Sequence, residues 1–248
     1  MRISNRFLSL LSFAAFALAV IPVRSATITT YNDPASWQAA SSTLQPTITF
    51  EGLAPANGNT TYQSPTGVTT GGVEFIGYLS NGSSWIEVLD TNVSPWYNFG
   101  SNDALVQSLD RPNAGAPVPY IHIVLPADVT SAGMDLFTAS PNAATYTITI
   151  NGTQYSVPTN ARPTQAFWGF TSDTPISSID LTLQGTVYNG SSFAFLDNFQ
   201  YGIAAGTSGG GGMSDAPEAT TFVLIGSGLF GIAALRKLLG KNAAPEAK

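Results

Sequence analysis

The chain has 248 residues, no cysteine, and a formal net charge of −6 from nine basic and fifteen acidic residues. The absence of cysteine excludes disulfide bonds and cysteine nucleophiles. Between residues 26 and 206 there are twelve acidic residues, two arginines and no lysine, a formal charge of −10. Such a surface repels phosphate backbones, so nucleic-acid binding is excluded as a function, whereas cations and neutral glycans are compatible partners.

The first 25 residues are typical of a secretory signal peptide. Arg2 and Arg6 precede an apolar run over residues 7–20, and Val23 and Ser25 occupy the positions favoured before a cleavage site. We therefore expect an exported protein, with a retained membrane-spanning helix as the alternative. Residues 26–203 are then the folded domain, which is long enough to bury a core of its own.

The domain is expected to consist of short strands with one short helix. Asn32-Asp33-Pro34 is a helix start, and residues 35–40 would form the helix with Trp37 facing inward. Asn81-Gly82 and Asn151-Gly152 have the sequence of tight hairpin turns. Apolar and β-branched runs predict strands at residues 47–50, 73–79, 85–89, 103–109, 120–125, 131–137, 146–150, 154–157, 166–170, 176–183 and 193–201. This pattern favours an all-β fold, an antiparallel jelly-roll-like β-sandwich.

The composition changes abruptly after the domain. Residues 204–216 include four consecutive glycines and predict a flexible linker. The uncharged apolar segment 219–235 would form about 26 Å of helix, enough to cross a thin membrane. Arg236 and Lys237 follow at once, and by the positive-inside rule they keep residues 242–248 cytoplasmic. The sequence therefore predicts one C-terminal transmembrane helix, with the domain on the far side of the membrane.

The order Pro217-Glu218, apolar helix, Arg236-Lys237 resembles the PEP-CTERM sorting signal of Gram-negative bacteria, over residues 217–241. Ala219 stands where that family has a second proline. The resemblance implies anchoring in the inner membrane, followed by cleavage near Pro217-Glu218 by an exosortase-like enzyme and transfer to the cell surface or extracellular matrix. It also implies association with exopolysaccharide and biofilm-forming envelopes, and hence a structural or adhesive role. A plain membrane anchor is the alternative.

Catalytic motifs are scarce in this sequence. The single histidine, His122, lies in a predicted strand, where a solvent-facing or hydrogen-bonded side chain is the alternative to a general base. No strand-turn-helix motif surrounds any serine, and neither zinc-ligand spacing nor a phosphate-binding glycine loop is present. We therefore expect a protein that is not an enzyme. A glycosidase-like pair of carboxylates remains open, because the sequence cannot place two acids at one cleft.

Two short stretches, ITFEG at residues 48–52 and FLDNFQYG at residues 195–202, resemble the first and last strands of carbohydrate-binding-module-like jelly rolls. The resemblance implies that these strands pair and that acids from both hold a calcium ion, here Glu51 and Asp197 with Asn198. Oxygen ligands of this kind suit calcium. No other cofactor is expected, and capping or strand-edge roles are the alternative for these three residues.

Aromatic side chains suggest where a glycan would bind. Trp85, Trp96 and Tyr97 are the candidates for stacking against sugar rings, the last two in an aromatic loop. Filling of the core is the alternative, since most aromatic residues of a sandwich are buried. Three hypotheses follow: an exported, non-enzymatic surface protein is favoured, a carbohydrate-binding module is the alternative, and a glycoside-acting enzyme is third.

The intact mass of the protein recovered from its own cells tests the interpretation of the tail. We expect a chain that ends near Pro217-Glu218, because the resemblance implies cleavage there. A mass that runs through Lys248 would instead identify the tail as a plain membrane anchor.

Overall fold

The structure, a computed structural model, describes residues 26–93, 99, 101–107, 115–184 and 193–206. The expected signal peptide, most of the linker, and the sorting residues Pro217, Glu218, Arg236 and Lys237 lie outside the described residues. The described chain forms two antiparallel sheets packed face to face. The predicted antiparallel β-sandwich is therefore confirmed.

The bounds of the elements are as follows. Helix α1 spans Pro34–Ala39, and a 3-10 turn spans Thr91–Val93. The strands are β1 Ile28–Tyr31, β2 Ser41–Ser42, β3 Asn59–Gln63, β4 Val68–Thr70, β5 Val73–Leu79, β6 Gly82–Ser83, β7 Trp85–Asp90, β8 Asp103–Gln107, β9 Pro119–Val124, β10 Ser131–Thr138, β11 Thr145–Ile150, β12 Thr153–Pro158, β13 Ala166–Ser172, β14 Ser178–Gln184 and β15 Ala194–Ala204.

Non-consecutive strands lie side by side in both sheets. Among the described residues, the eight-stranded sheet has the order β1-β13-β10-β15-β8-β7-β3, with β2 paired to β15. The seven-stranded sheet has the order β12-β11-β14-β9-β5-β4, with β6 paired to β5. The chain therefore crosses repeatedly from one sheet to the other.

The core lies between the sheets and follows from the alternation of side chains along each strand. On β9, for example, Ile121 and Ile123 are fully buried, whereas their neighbours are partly exposed. The centre is aromatic: the ring of Phe75 meets those of Phe50 and Phe199 edge-on, with centroids 5.1 and 5.5 Å apart. Without disulfides, this apolar packing is the principal source of stability.

Helix α1 covers part of the outer surface of the eight-stranded sheet. The Asp33 carboxylate accepts a hydrogen bond from the Ser36 backbone N–H at 2.8 Å, which caps the helix. Trp37 is 1% exposed, and its indole nitrogen donates to the Phe170 carbonyl at 3.2 Å. A Cβ on Gly169 would lie 2.9 Å from the indole ring, so glycine permits this contact. The predicted helix with its inward-facing Trp37 is confirmed.

The predicted hairpin at Asn151-Gly152 is also confirmed. Residues Ile150 and Thr153 pair across it, and both turn residues have positive φ, 50° and 78°. This is the backbone that such a turn requires, and asparagine and glycine adopt it most readily.

Two local expectations were wrong. Residues 47–50 form no strand but a single bridge from Ile48 to Phe199, because Phe50 has a φ of 59° and turns the chain away. The hairpin after β5 turns at residues 80–81, since Leu79 pairs with Gly82, and its returning strand has only two residues. Strand β7 then joins the other sheet.

The contact between Trp37 and the sheet yields a test of stability. We expect Trp37→Ala to lower the free energy of unfolding by about 3–5 kcal/mol, the usual cost of truncating a buried tryptophan. The adjacent Gln38 is exposed, so Gln38→Ala should change it by less than about 0.5 kcal/mol. Denaturant titration of both variants measures the difference. A loss for Trp37→Ala as small as that expected for Gln38→Ala would show that α1 contributes little to the stability of the fold.

Candidate binding face

The most distinctive open surface lies on the outside of the seven-stranded sheet. Strands β5, β9 and β14 are neighbours there, and their inward positions are apolar. The alternation directs Tyr78, Tyr120, His122 and Asp180 outward, and each of them is only partly buried. In the ladder Tyr78 pairs with Tyr120, and His122 pairs with Asp180. We call these four residues the tyrosine face.

The two tyrosines form an aromatic platform. Their ring centroids are 5.6 Å apart with an interplanar angle of 26°, and the His122 ring meets Tyr78 at 6.0 Å and 70°. Burial, with smaller contributions from Asp180 and Tyr78, raises the pKa of Tyr120, so its hydroxyl stays protonated at neutral pH. Neither tyrosine hydroxyl is hydrogen-bonded to another described residue. Both can therefore donate to a ligand.

His122 is held in place by Asp180. Its Nδ1 lies 2.6 Å from the Asp180 Oδ1, with side-chain exposures of 28% and 40%. The carboxylate holds the ring through Nδ1, and the other ring nitrogen makes no hydrogen bond to a described residue. His122 forms no hydrogen bond to a serine or threonine hydroxyl among the described residues. The pair can orient a polar ligand, but it lacks the nucleophile that a triad requires.

The surroundings of the platform are polar and carry no positive charge. Thr147, Thr149 and Thr182 are partly exposed, and their neighbours along β11 and β14 are buried or apolar. The strands of this sheet contain neither lysine nor arginine. The face and its surroundings thus combine aromatic surface, hydroxyl groups and the carboxylates of Asp180 and Glu74, a set that suits an uncharged, hydroxyl-rich ligand.

The three residues predicted to hold calcium take different roles in the structure. Glu51 is exposed, and its Oε1 accepts a hydrogen bond from the Asn102 backbone N–H at 3.0 Å. Asp197 is fully buried, and Asn198 donates its side-chain N–H to Asp135 at 2.8 Å. Within the described ranges no group of three acidic, histidine or cysteine side chains is placed to hold a metal ion. A calcium ion here stays a prediction.

Asp197 is nevertheless an unusual buried acid. Burial raises the pKa of its carboxyl to about 7; the Ser101 hydroxyl and the Asn198 N–H oppose the shift, whereas Asp135 and Glu51 add to it. Its Oδ1 accepts from the Asn198 N–H at 2.7 Å. Its Oδ2 and the Ser101 hydroxyl both lack a hydrogen-bond partner in the described chain. Ser101 is therefore close enough to favour the charged carboxylate without forming a well-directed hydrogen bond to it.

Of the three predicted stacking residues, the structure describes only Trp85, which lies apart from the tyrosine face. Trp85 begins β7 in the other sheet, where it is partly buried. Trp96 and Tyr97 lie outside the described residues. The sequence analysis missed Tyr78 and Tyr120, although both stand in predicted strands where the neighbouring positions are apolar. That alternation was the available signal, but their pairing depends on the register of two distant strands.

No helix within the described ranges has the length and hydrophobicity needed to cross a membrane. The apolar segment 219–235 is outside those ranges.

Comparison with known proteins gives likenesses of fold. No protein-family model matches the chain. No curated protein matches it either. The CBM22-1 xylan-binding domain from Paenibacillus barcinonensis Xyn10C is 18% identical, covering 66% of this chain and 96% of that one, with a TM-score of 0.34. The family 11 carbohydrate-binding module of Lic26A-Cel5E from Clostridium thermocellum is 15% identical, covering 64% and 92%, with a TM-score of 0.27. The K3 adhesin domain of Lys-gingipain from Porphyromonas gingivalis is 13% identical, covering 64% and 98%, with a TM-score of 0.34. At these scores the likenesses assign neither a ligand nor a site.

The buried Asp197 predicts a pH dependence of stability. Its folded-state pKa of about 7 lies above the usual value of 3.8, so the folded protein binds the proton more tightly than the unfolded chain. Stability should therefore fall as the pH rises from about 4 to about 7, by at most about 1.4 kcal/mol per pH unit from this group. Denaturant titrations across that range measure the slope.

Asp197→Asn should flatten this slope. Asp128→Asn is the matched control, because Asp128 is exposed, and it should keep the slope of the unmodified protein. An unchanged slope in Asp197→Asn would show that another group binds the proton.

Proposed function

We propose that the described domain is a carbohydrate-binding module that binds an uncharged glycan on the tyrosine face. The observation that carries the proposal is the stacked pair Tyr78–Tyr120 beside the His122–Asp180 hydrogen bond on an open sheet surface. Aromatic rings provide apolar area for the C–H faces of sugar rings. The hydroxyl groups and the oriented imidazole then supply directional hydrogen bonds to sugar hydroxyls.

The charge of the domain narrows the class of glycan. Residues 26–206 carry a formal charge of −10, and the strands of the sheet contain neither lysine nor arginine. A polyanionic chain would meet electrostatic repulsion over the whole surface. The proposed ligand is therefore a neutral polysaccharide.

We propose further that the domain binds glycan without cleaving it. Hydrolysis of a glycosidic bond uses two carboxyl groups on opposite sides of the scissile bond. Four cavities that described residues line each contain one acid at most: Glu51, Asp128 and Asp135 each line a different one, and the fourth has none. On the outer surface of the seven-stranded sheet, Asp180 pairs with His122, whereas the partly exposed Glu74 pairs with Val124, two residues further along β9. The distribution of acids among the cavities supports binding over catalysis.

The tail predicted from the sequence supplies a cellular setting for this proposal. An exported domain sorted by a PEP-CTERM-like signal would meet exopolysaccharide at the cell surface or in the extracellular matrix. Binding of a neutral glycan there would give the protein an adhesive role. This proposal depends on the cleavage and location of the tail, and it is independent of the identity of the glycan.

Substitution of the platform tests the binding proposal. We expect Tyr78→Ala and Tyr120→Ala each to weaken the binding of neutral oligosaccharides by at least about tenfold, which is a loss of about 1.4 kcal/mol. A glycan array with the full-length chain identifies the best probe, and calorimetry with that probe measures the affinity.

Tyr78→Phe is the matched control for stacking. It keeps the ring and removes the hydroxyl, so it should retain more of the affinity than Tyr78→Ala. An array without any binding, or alanine variants with unchanged affinity, would refute the proposed site.

A further inference from the structure

A second concave surface lies on the other side of the sandwich, on the outside of the eight-stranded sheet. One cavity of about 370 Å³ is lined by strands β10, β13 and β15 and by helix α1, with Asp135, Asn198 and Gln200 among its residues. A neighbouring cavity of about 560 Å³ lies beside the edge strands β1 and β12. Gln165 and Phe167 line both cavities. We call the combined surface the amide groove.

Three of the carboxamide groups along the groove, those of Gln165, Asn198 and Gln200, are fixed by hydrogen bonds to the protein. Asn198 donates its amide N–H to the Asp135 carboxylate at 2.8 Å, and Gln200 donates to the Gln45 backbone carbonyl at 2.7 Å. Gln165 donates to the backbone carbonyl of Phe99. Carboxylate and carbonyl oxygens can only accept hydrogen bonds, so each partner determines which end of the amide is nitrogen.

The oxygen end of each amide is consequently left for another partner. Within the described part of the chain, the side-chain oxygens of Gln165, Asn198 and Gln200 accept no hydrogen bond, and neither does Oδ1 of Asp135. These three amide groups and the carboxylate are partly exposed in the groove. The groove therefore presents several fixed acceptors to whatever occupies it.

A ligand that matches these acceptors must be rich in hydrogen-bond donors. Neither lysine, arginine nor histidine lines either cavity, and Asp135 is the one acid, so an anionic ligand finds no counter-charge. The Asp135 carboxylate is shared with Asn198, and burial raises the pKa of this carboxyl, which weakens it as a partner for a cation. Hydroxyl groups of an uncharged chain fit this environment. The partly buried ring of Phe167 adds apolar wall between the two cavities.

We infer that the amide groove is a second carbohydrate-binding site, which takes a neutral, hydroxyl-rich glycan independently of the tyrosine face. Asp135, Gln165, Asn198 and Gln200 accept hydrogen bonds from its hydroxyl groups. The inference does not depend on the proposed function of the tyrosine face, since the two surfaces share no residue.

The test uses a background that isolates the groove. In the full-length Tyr78→Ala Tyr120→Ala chain, neutral hexasaccharides of β-1,4-glucose, β-1,4-xylose and α-1,6-glucose serve as probes, and calorimetry measures binding. Thr47 is exposed, lines the groove and makes no side-chain hydrogen bond to a described residue. Thr47→Trp places an indole in the groove, whereas Thr47→Ala leaves it open and serves as the matched control.

We expect at least one hexasaccharide to bind the background chain. Thr47→Trp should weaken this binding by at least about tenfold, and Thr47→Ala should keep it within about twofold. Hydrogen-exchange mass spectrometry should show protection by the glycan in residues 34–47 and 162–167, which border the groove. Equal melting temperatures for the two Thr47 variants establish that the indole acts on binding and not on folding.

Three results would overturn the inference: no binding to the background chain, equal affinity of the two Thr47 variants, or protection away from the groove. Protection of residues 28–31 by an extended peptide, with none by the hexasaccharides, would instead make the edge of β1 a peptide site. A separate comparison tests the tyrosine face. In the chain whose groove is blocked by Thr47→Trp, replacing Tyr78 and Tyr120 with alanine should weaken glycan binding, and an unchanged affinity would refute the tyrosine face as a site.

Discussion

The edge-on packing of Phe75 against Phe50 and Phe199 joins three distant parts of the chain at the centre of the molecule. Phe75 comes from the seven-stranded sheet and Phe199 from the eight-stranded sheet, so this contact holds the two layers together. In a domain without cysteine, that apolar contact connects the two sheets, as a disulfide bond does in some other proteins. It also determines the outer surfaces: once the inward positions of a strand are chosen, every second residue must face solvent.

An irregularity in the last strand shapes one of those outer surfaces. The register of β10 with β15 shifts between Gly133, which pairs with Gln200, and Asp135, which pairs with Asp197. Two residues of β15, Asn198 and Phe199, lie in this interval, and Asn198 has a φ of 49°. Such a bulge places an extra residue in one strand and redirects its side chains. Here it leaves Asp197 buried and brings the Asn198 amide beside Asp135 in the amide groove. A local departure from ideal pairing thus supplies part of the proposed second binding site.

Features determined by neighbouring residues could be predicted from the sequence, and features determined by register could not. The Asn151-Gly152 turn and the capped helix around Trp37 depend on a few consecutive residues, whose φ preferences and hydrogen bonds are local. Tyr78 and Tyr120 become neighbours only when β5 pairs with β9, and nothing near either residue specifies that pairing. Trp85 was chosen for its residue type, but β7 crosses to the other sheet and leaves it apart from the tyrosine pair. The amide groove required the same long-range information, because its residues come from six elements.

Two proposed binding sites on one sandwich have a consequence for assembly. A domain that held a polysaccharide strand on each side would act as a bivalent cross-link, and it would need no second copy of itself. Neighbouring strands bridged in this way gain avidity from each additional bridge, even when each contact is weak. A small acidic domain could then set the mesh size and stiffness of a hydrated gel, in proportion to its abundance.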